Sequence, residues 1–288
     1  MSFEDFIAAA WNDHADRPQE VAARLAASAA TIATPADVAA YARIVTHVYG
    51  EHLGDWEPGI ALLRGLRELP CWDGSAMVDG ALTRSIAVLR HARGDDEALD
   101  GLSEGDKIAV LATVSSAFVG RHEYARALSA YASAVSLAQA GLPPGSPALR
   151  ALAVGGDNLA AALEEKQDRN DAEACGMVDA AERALEYWKL AGTWLEEERA
   201  EYRLARSLLE AGAAPRAVVA ASRCVDGCER NDAPAFERFF AYAALSLAHR
   251  AAGDGAASDR ARGQALEAHS RIPADERRWC AADLAALH

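Results

Sequence analysis

Apolar residues recur every three or four positions along almost the whole chain, and no stretch alternates with period two for long enough to make a sheet strand. The pattern predicts an all-α fold with helices near 3–15, 18–32, 35–52, 57–69, 75–92, 106–120, 123–140, 147–167, 173–191, 193–211, 214–230, 233–252, 255–271 and 274–287. Starts are marked by N-cap oxygens: Ser2 with Asp5 three residues on, Thr34 before Pro35, Ser103 with Asp106, and Ser146 before Pro147. Stops are marked by Gly54, Gly94, Gly120, Gly141, Gly192, Gly212 and Gly253, read as residues entering the left-handed region at helix ends. Most links are short, so consecutive helices should pack as antiparallel neighbours. Two longer links, GDDEALDGLSEG and GLPPGS, interrupt the rhythm, and the first has room for a stunted helix.

One helical phrase recurs in the second half: a small residue, a bulky one four later and a small one three after that. It reads Ala127, Tyr131, Ala134; then Ala184, Trp188, Ala191; then Ala217, Ala221, Cys224; and more weakly Ser258, Arg262, Ala265. These spacings put all three positions on one helix face, where small residues admit a neighbouring helix and a bulky one fills the groove between two. Around the phrase, Leu111, Val114, Ser115 and Phe118 precede Tyr124 and Ala127. Leu204, Ala205, Leu208 and Gly212 precede Ala217, and Tyr242, Leu245, Ser246 and Gly253 precede Ala265. On these residues the chain resembles the tetratricopeptide repeat, a helix-turn-helix of about 34 residues. A degenerate copy is suggested by His47, Gly54, Asp55, Trp56, Gly59, Leu63 and Leu66. The anchors Ala127, Ala184, Ala217 and Ser258 lie 57, 33 and 41 residues apart, which implies lengthened helices.

The resemblance implies a right-handed α-solenoid of about seven helical hairpins. Its parts would be divergent N-terminal hairpins over 1–105, repeats over 106–273 and a capping helix over 274–288, all in one continuous stack. It also implies a non-catalytic scaffold that binds a protein or peptide in its concave groove. Long, irregular repeats of this kind are similar to those of bacterial regulators that bind peptides or response regulators, so a ligand-responsive regulator is the second reading. Homo-oligomerisation is a third use of the same faces.

Composition narrows the partners. A net charge of −14 argues against nucleic acid or an anionic membrane surface as partner. The apolar uncharged run Ile108–Gly120 is too short to span a bilayer. The segment MSFEDFIAAAWNDH carries acidic residues and no basic leader, so it does not read as a signal peptide. Five cysteines in helical stretches do not read as a disulfide framework, and a reducing cytoplasm is the expected location. Only three lysines stand among 29 basic residues, a bias expected of a GC-rich bacterial genome.

The resemblance places Arg199, Tyr202, Arg203 and Arg206 in the groove from one first helix, and Arg150, Ala153, Val154 and Asp157 from the preceding one. Three guanidiniums around a tyrosine suit an acidic segment or a C-terminal carboxylate. The competing reading is a solvated helix face of Glu196–Arg199 and Arg206–Glu210 pairs. A remote alternative is an all-α metal-dependent enzyme using Asp95, Asp96 and Asp100, although no partner motif with matching spacing exists elsewhere. Cys224 and Cys228 read as buried packing residues rather than metal ligands. The eight histidines are scattered, so no catalytic residue, metal or cofactor is expected. Trp72, in the turn-like PCWDG, reads as a packing wedge or as part of an exposed interaction surface.

Overall fold

The computed structural model describes residues 2–288, and among them there is no strand. The first seven α-helices are α1 Phe3–Asp13, α2 Pro18–Ser28, α3 Pro35–His47, α4 Trp56–Gly65, α5 Ala76–Arg93, α6 Glu104–Gly120 and α7 Tyr124–Ala138. They are followed by α8 Pro147–Glu165, α9 Asp171–Ala191, α10 Trp194–Glu210, α11 Ala214–Arg230, α12 Ala235–Ala251, α13 Gly255–Arg271 and α14 Ala281–Ala286. None is long and apolar enough to cross a membrane. The caps read from the sequence are in place: Ser2 and Thr34 make reciprocal capping boxes with Asp5 and Asp37, and the Ser103 hydroxyl accepts from the Asp106 backbone.

The helical hairpins are closed by one recurring turn. In the α6–α7, α10–α11, α11–α12 and α12–α13 links a backbone N–H reaches back five residues: Glu123 to Phe118, Ala213 to Leu208, Ala233 to Cys228 and Asp254 to His249. In each, the residue just before the donor has positive φ, the C-terminal arrangement that satisfies the last helix carbonyls. Glycine fills that place at Gly212 and Gly253, whereas His122 and Asp232 fill it in the other two. Gly120 and Gly192, read as left-handed stops, are not in that region. Gly120 is the last residue of α6, and a Cβ there would lie 2.7 Å from the Glu51 carbonyl oxygen.

Two further departures have local causes. Helix α3 ends at His47, and the chain continues as a π-helical turn, Val48–Leu53, closed by Gly54 in the left-handed region. The last helix, expected from residue 274, is reduced to a 3-10 turn at Arg277–Cys280 followed by the six-residue α14. There the Arg277 guanidinium caps the end of α13 by donating to the Ile272 and Ser270 carbonyls, which folds the chain into a tight turn.

The chain divides into two compact units, the first ending at Ala151 and the second running from Leu152 to His288. The first unit is centred on large buried side chains, among them Leu25, Tyr41, Ile44, Leu63, Leu82 and Leu89. Each contributes roughly 1.5–3 kcal/mol of apolar burial. Cys71 and Trp72 pack half-buried against this core. The second unit relies on smaller residues, with Cys224, Cys228, Ala243 and Ala265 around Phe239 and Ile272. The small anchors of the recurring phrase, Ala127, Ala134, Ala184, Ala217, Ala221, Cys224 and Ala265, are all fully buried. All five cysteines are free thiols. Within two hairpins the same hydrogen bond repeats: Ser115 donates to the Ala127 carbonyl at 2.9 Å, and Ser246 to that of Ser258 at 3.0 Å.

Candidate functional site

In the second unit, α8, α10 and α12, each the first helix of its hairpin, line a groove of about 290 Å³. Helix α8 contributes Asp157, α10 contributes Glu198, Arg199, Tyr202 and Arg203, and α12 contributes Phe236, Glu237 and Phe240. Helical spacing explains the set: 198/199, 202/203 and 236/240 are one turn apart and share a face. The aromatic side is ordered by edge-to-face contacts of Phe240 with Tyr202 at 5.6 Å and with Phe236 at 5.0 Å.

The three predicted arginines of α10 take different positions, and each meets a carboxylate of another helix. Arg199 grips Glu237 with two donors, at 2.5 and 3.3 Å. Arg203 donates to Glu164 at 2.6 Å, and the other oxygen of Glu164 accepts from Ser207. Arg206 lies outside the groove lining and pairs with Asp283 at 2.6 Å, where the Tyr202 hydroxyl also donates at 2.8 Å. Glu210, the expected local partner of Arg206, is held by Arg169. Arg150 falls in the first unit. Asp157 is in the groove, its Oδ2 accepting from the Trp188 indole at 2.5 Å.

The groove's electrostatics are set by buried acids. Burial raises the pKa values of Asp157 and Glu164, against the opposing pull of Trp188 on the first and Arg203 on the second. Burial also pushes Glu198 up to about 7, even though the Cys224 and Cys228 thiols both donate to its Oε1. The thiols themselves are driven well above their ordinary range by burial and by that carboxylate, so they are not nucleophiles at neutral pH. The polar atoms that line the groove and find no protein partner are acceptors: Asp157 Oδ1 and Glu198 Oε2. Among the lining groups three carboxylates, Asp157, Glu198 and Glu237, face two guanidiniums, Arg199 and Arg203. The site is therefore supplied with acceptors and aromatic faces, not with spare cations.

Sequence reading located Asp157, Arg199, Tyr202 and Arg203 but missed Glu198, Phe236, Glu237, Phe240 and the outer partners Glu164 and Asp283. Phe236 and Phe240, four apart on a helix whose other face carries Phe239, were the available signal. The acids gave none, because a glutamate beside an arginine on an amphipathic helix looks solvated. The Asp95 cluster is not assembled as a metal site: Asp95 accepts from Arg90 at 2.7 Å and from Arg93 at 3.3 Å, and caps the short 3-10 turn that follows. Among the described residues, the group of side chains with metal-ligating geometry is His14, His47 and His52 in the first unit. No family model and no curated protein matches the chain.

Proposed function

We propose that this chain is a non-catalytic binding protein of the tetratricopeptide type, in which α8, α10 and α12 form the inner wall of a solenoid and take up a segment of a protein or peptide partner. The observation that carries the reading is the groove itself. Three successive first helices converge on one cavity with a half-buried aromatic wall, as the resemblance implies for a concave recognition surface. The recurring Schellman-type turns and the repeated Ser-to-carbonyl bond support stacked, related hairpins.

The occupant we favour carries a basic side chain. Arg199 and Arg203, which would suit an acidic segment, are already neutralised by Glu237 and Glu164, while Asp157 and Glu198 each retain an unpartnered acceptor oxygen. Both oxygens are closed off from solvent, so a lysine or arginine of the partner would reach them as the groove side chains part to admit it, and would lay its charge against Tyr202, Phe236 and Phe240. The test is a displayed random-peptide selection on the full chain, counter-selected with a Phe240→Ala variant whose helicity is checked by circular dichroism. Enrichment of Lys- and Arg-containing peptides that the variant fails to hold is the expected result. Enrichment of acidic peptides, or peptides retained equally by the variant, contradicts it.

A further inference from the structure

The first unit contains an assembly that groove binding does not use. His14, the C-cap residue just past α1, His47, the last residue of α3, and His52, inside the π-helical turn, form a triangle of imidazoles. Their ring centroids lie 4.8, 4.8 and 5.1 Å apart. Nε2 of His47 is 3.1 Å from Nε2 of His52, and one nitrogen from each of the three rings lies within 4.8 Å of the others. All three rings are only partly buried, so an ion has access to them.

The backbone produces this arrangement. Residues five apart on an α-helix point about 140° away from each other at the usual 3.6 residues per turn, so a regular helix would separate His47 from His52. The widened turn Val48–Leu53 brings them onto one side, and such insertions concentrate at functional positions. It is fixed in place by Gly54 in the left-handed region and by the close approach of Gly120 to Glu51.

The surroundings also orient the rings. His47 Nδ1 is 2.7 Å from Glu51 Oε2, and His14 Nδ1 is 2.5 Å from the Trp11 carbonyl oxygen. With Nδ1 donating in both, each Nε2 keeps its lone pair for another partner, the carboxylate- and carbonyl-anchored arrangement of metal-ligating histidines. Ligand nitrogens 2.0–2.1 Å from a tetrahedral zinc stand about 3.3 Å from one another. The His47–His52 pair is already near that separation, and the third ring needs to close by up to about 1.5 Å. Beside the cluster, Glu51 accepts from His47 and Arg43 stacks over the ring of Trp11, whose carbonyl holds His14.

The geometry points to a three-histidine site for a divalent transition metal ion of the zinc class, with ligands His14, His47 and His52 and the fourth position open to water or to a ligand donor. Imidazole-only ligation suits zinc, copper or nickel over magnesium or calcium.

The test is titration of the full-length, chelator-treated protein with Zn²⁺ by calorimetry, and with Co²⁺ by its visible absorption. One equivalent should bind, with cobalt giving the intense bands of a tetrahedral site and magnesium giving no heat. His14→Gln, His47→Gln and His52→Gln should each remove the site, Glu51→Gln should weaken it about ten- to a hundredfold, and His122→Gln should leave it intact. Absence of stoichiometric binding by the wild type, or binding that survives the three ligand substitutions, overturns the site and leaves the cluster as three packed rings. Should a variant fail to fold, the wild-type stoichiometry alone decides.

Discussion

The two units concentrate polar groups in opposite ways. In the first, three imidazoles converge while the outer nitrogens of His47 and His14 are tied to a carboxylate and a carbonyl, which leaves the Nε2 lone pair of each for another partner. In the second, each groove arginine is locked to a buried acid of another helix, and the unpartnered atoms are carboxylate oxygens. Charge count alone would have named the arginines as the reactive feature and passed over the histidines. What matters is which atoms have no partner once the chain is folded. A guanidinium already paired in a bidentate grip offers little to a ligand, whereas an orphaned acceptor in a half-buried groove carries an unmet desolvation cost.

The largest expected effect tests the claim that the second unit's arginines are structural. Arg203→Ala leaves Glu164, 9% exposed, as a buried carboxylate without its cation and should destabilise the protein by about 3 kcal/mol, read as a lowered urea midpoint. Arg199→Ala, whose side chain is 57% exposed, should cost clearly less. If both changes are neutral in stability, the arginines belong to a solvated surface and the acidic-ligand reading returns.

Glu198 sharpens the same contrast through pH. Its carboxyl titrates near 7 in the folded chain, above the ordinary value of 4.5, with Cys224, Cys228, Glu237 and Arg199 around it. The folded state therefore binds the proton more tightly than the unfolded state. The stability this confers is complete below pH 4.5 and is lost as pH rises through 7, a span of about 3 kcal/mol. Glu198→Gln should flatten that part of the stability-versus-pH profile measured by denaturant unfolding. A profile unchanged by the substitution would mean that Glu198 is ionised and solvated throughout.

In the first unit the comparable test is Gly120→Ala. Its Cβ would press on the Glu51 carbonyl, so the substitution should cost about 1–3 kcal/mol and disturb the carboxylate that orients His47. The smallest effect is expected at the hairpin turn: His122→Gly relieves a left-handed non-glycine residue and should gain at most about 0.5 kcal/mol in thermal unfolding.

The succession of helices was legible because amphipathic periodicity and caps such as Thr34-Pro35 are local signals, and the small anchors Ala127, Ala184 and Ala217 announced their burial by spacing. The left-handed turns at His122 and Asp232 were not, since tertiary closure of the hairpin overrode the preference for glycine. The π-helical turn was invisible for a related reason: nothing in VYGEHL departs from a helical pattern, and the wider winding is set by packing of Gly120 and Leu89 around it. Because that turn brings His47 and His52 together, their cluster could not be read from spacing. In the groove, Tyr202 and Asp157 were expected from the tetratricopeptide resemblance. The carboxylate partners Glu164, Glu237 and Asp283 are contributed by helices 38 to 77 residues away in sequence, beyond any local pattern.

The central claim is that the groove of the second unit recognises a cation. Calorimetric titration of the full chain with two short peptides, capped at both ends and differing only in a central arginine or glutamate, tests it directly. The account predicts measurable binding of the arginine peptide that is lost in Asp157→Asn with Glu198→Gln, and none of the glutamate peptide. Preferential binding of the glutamate peptide would contradict it.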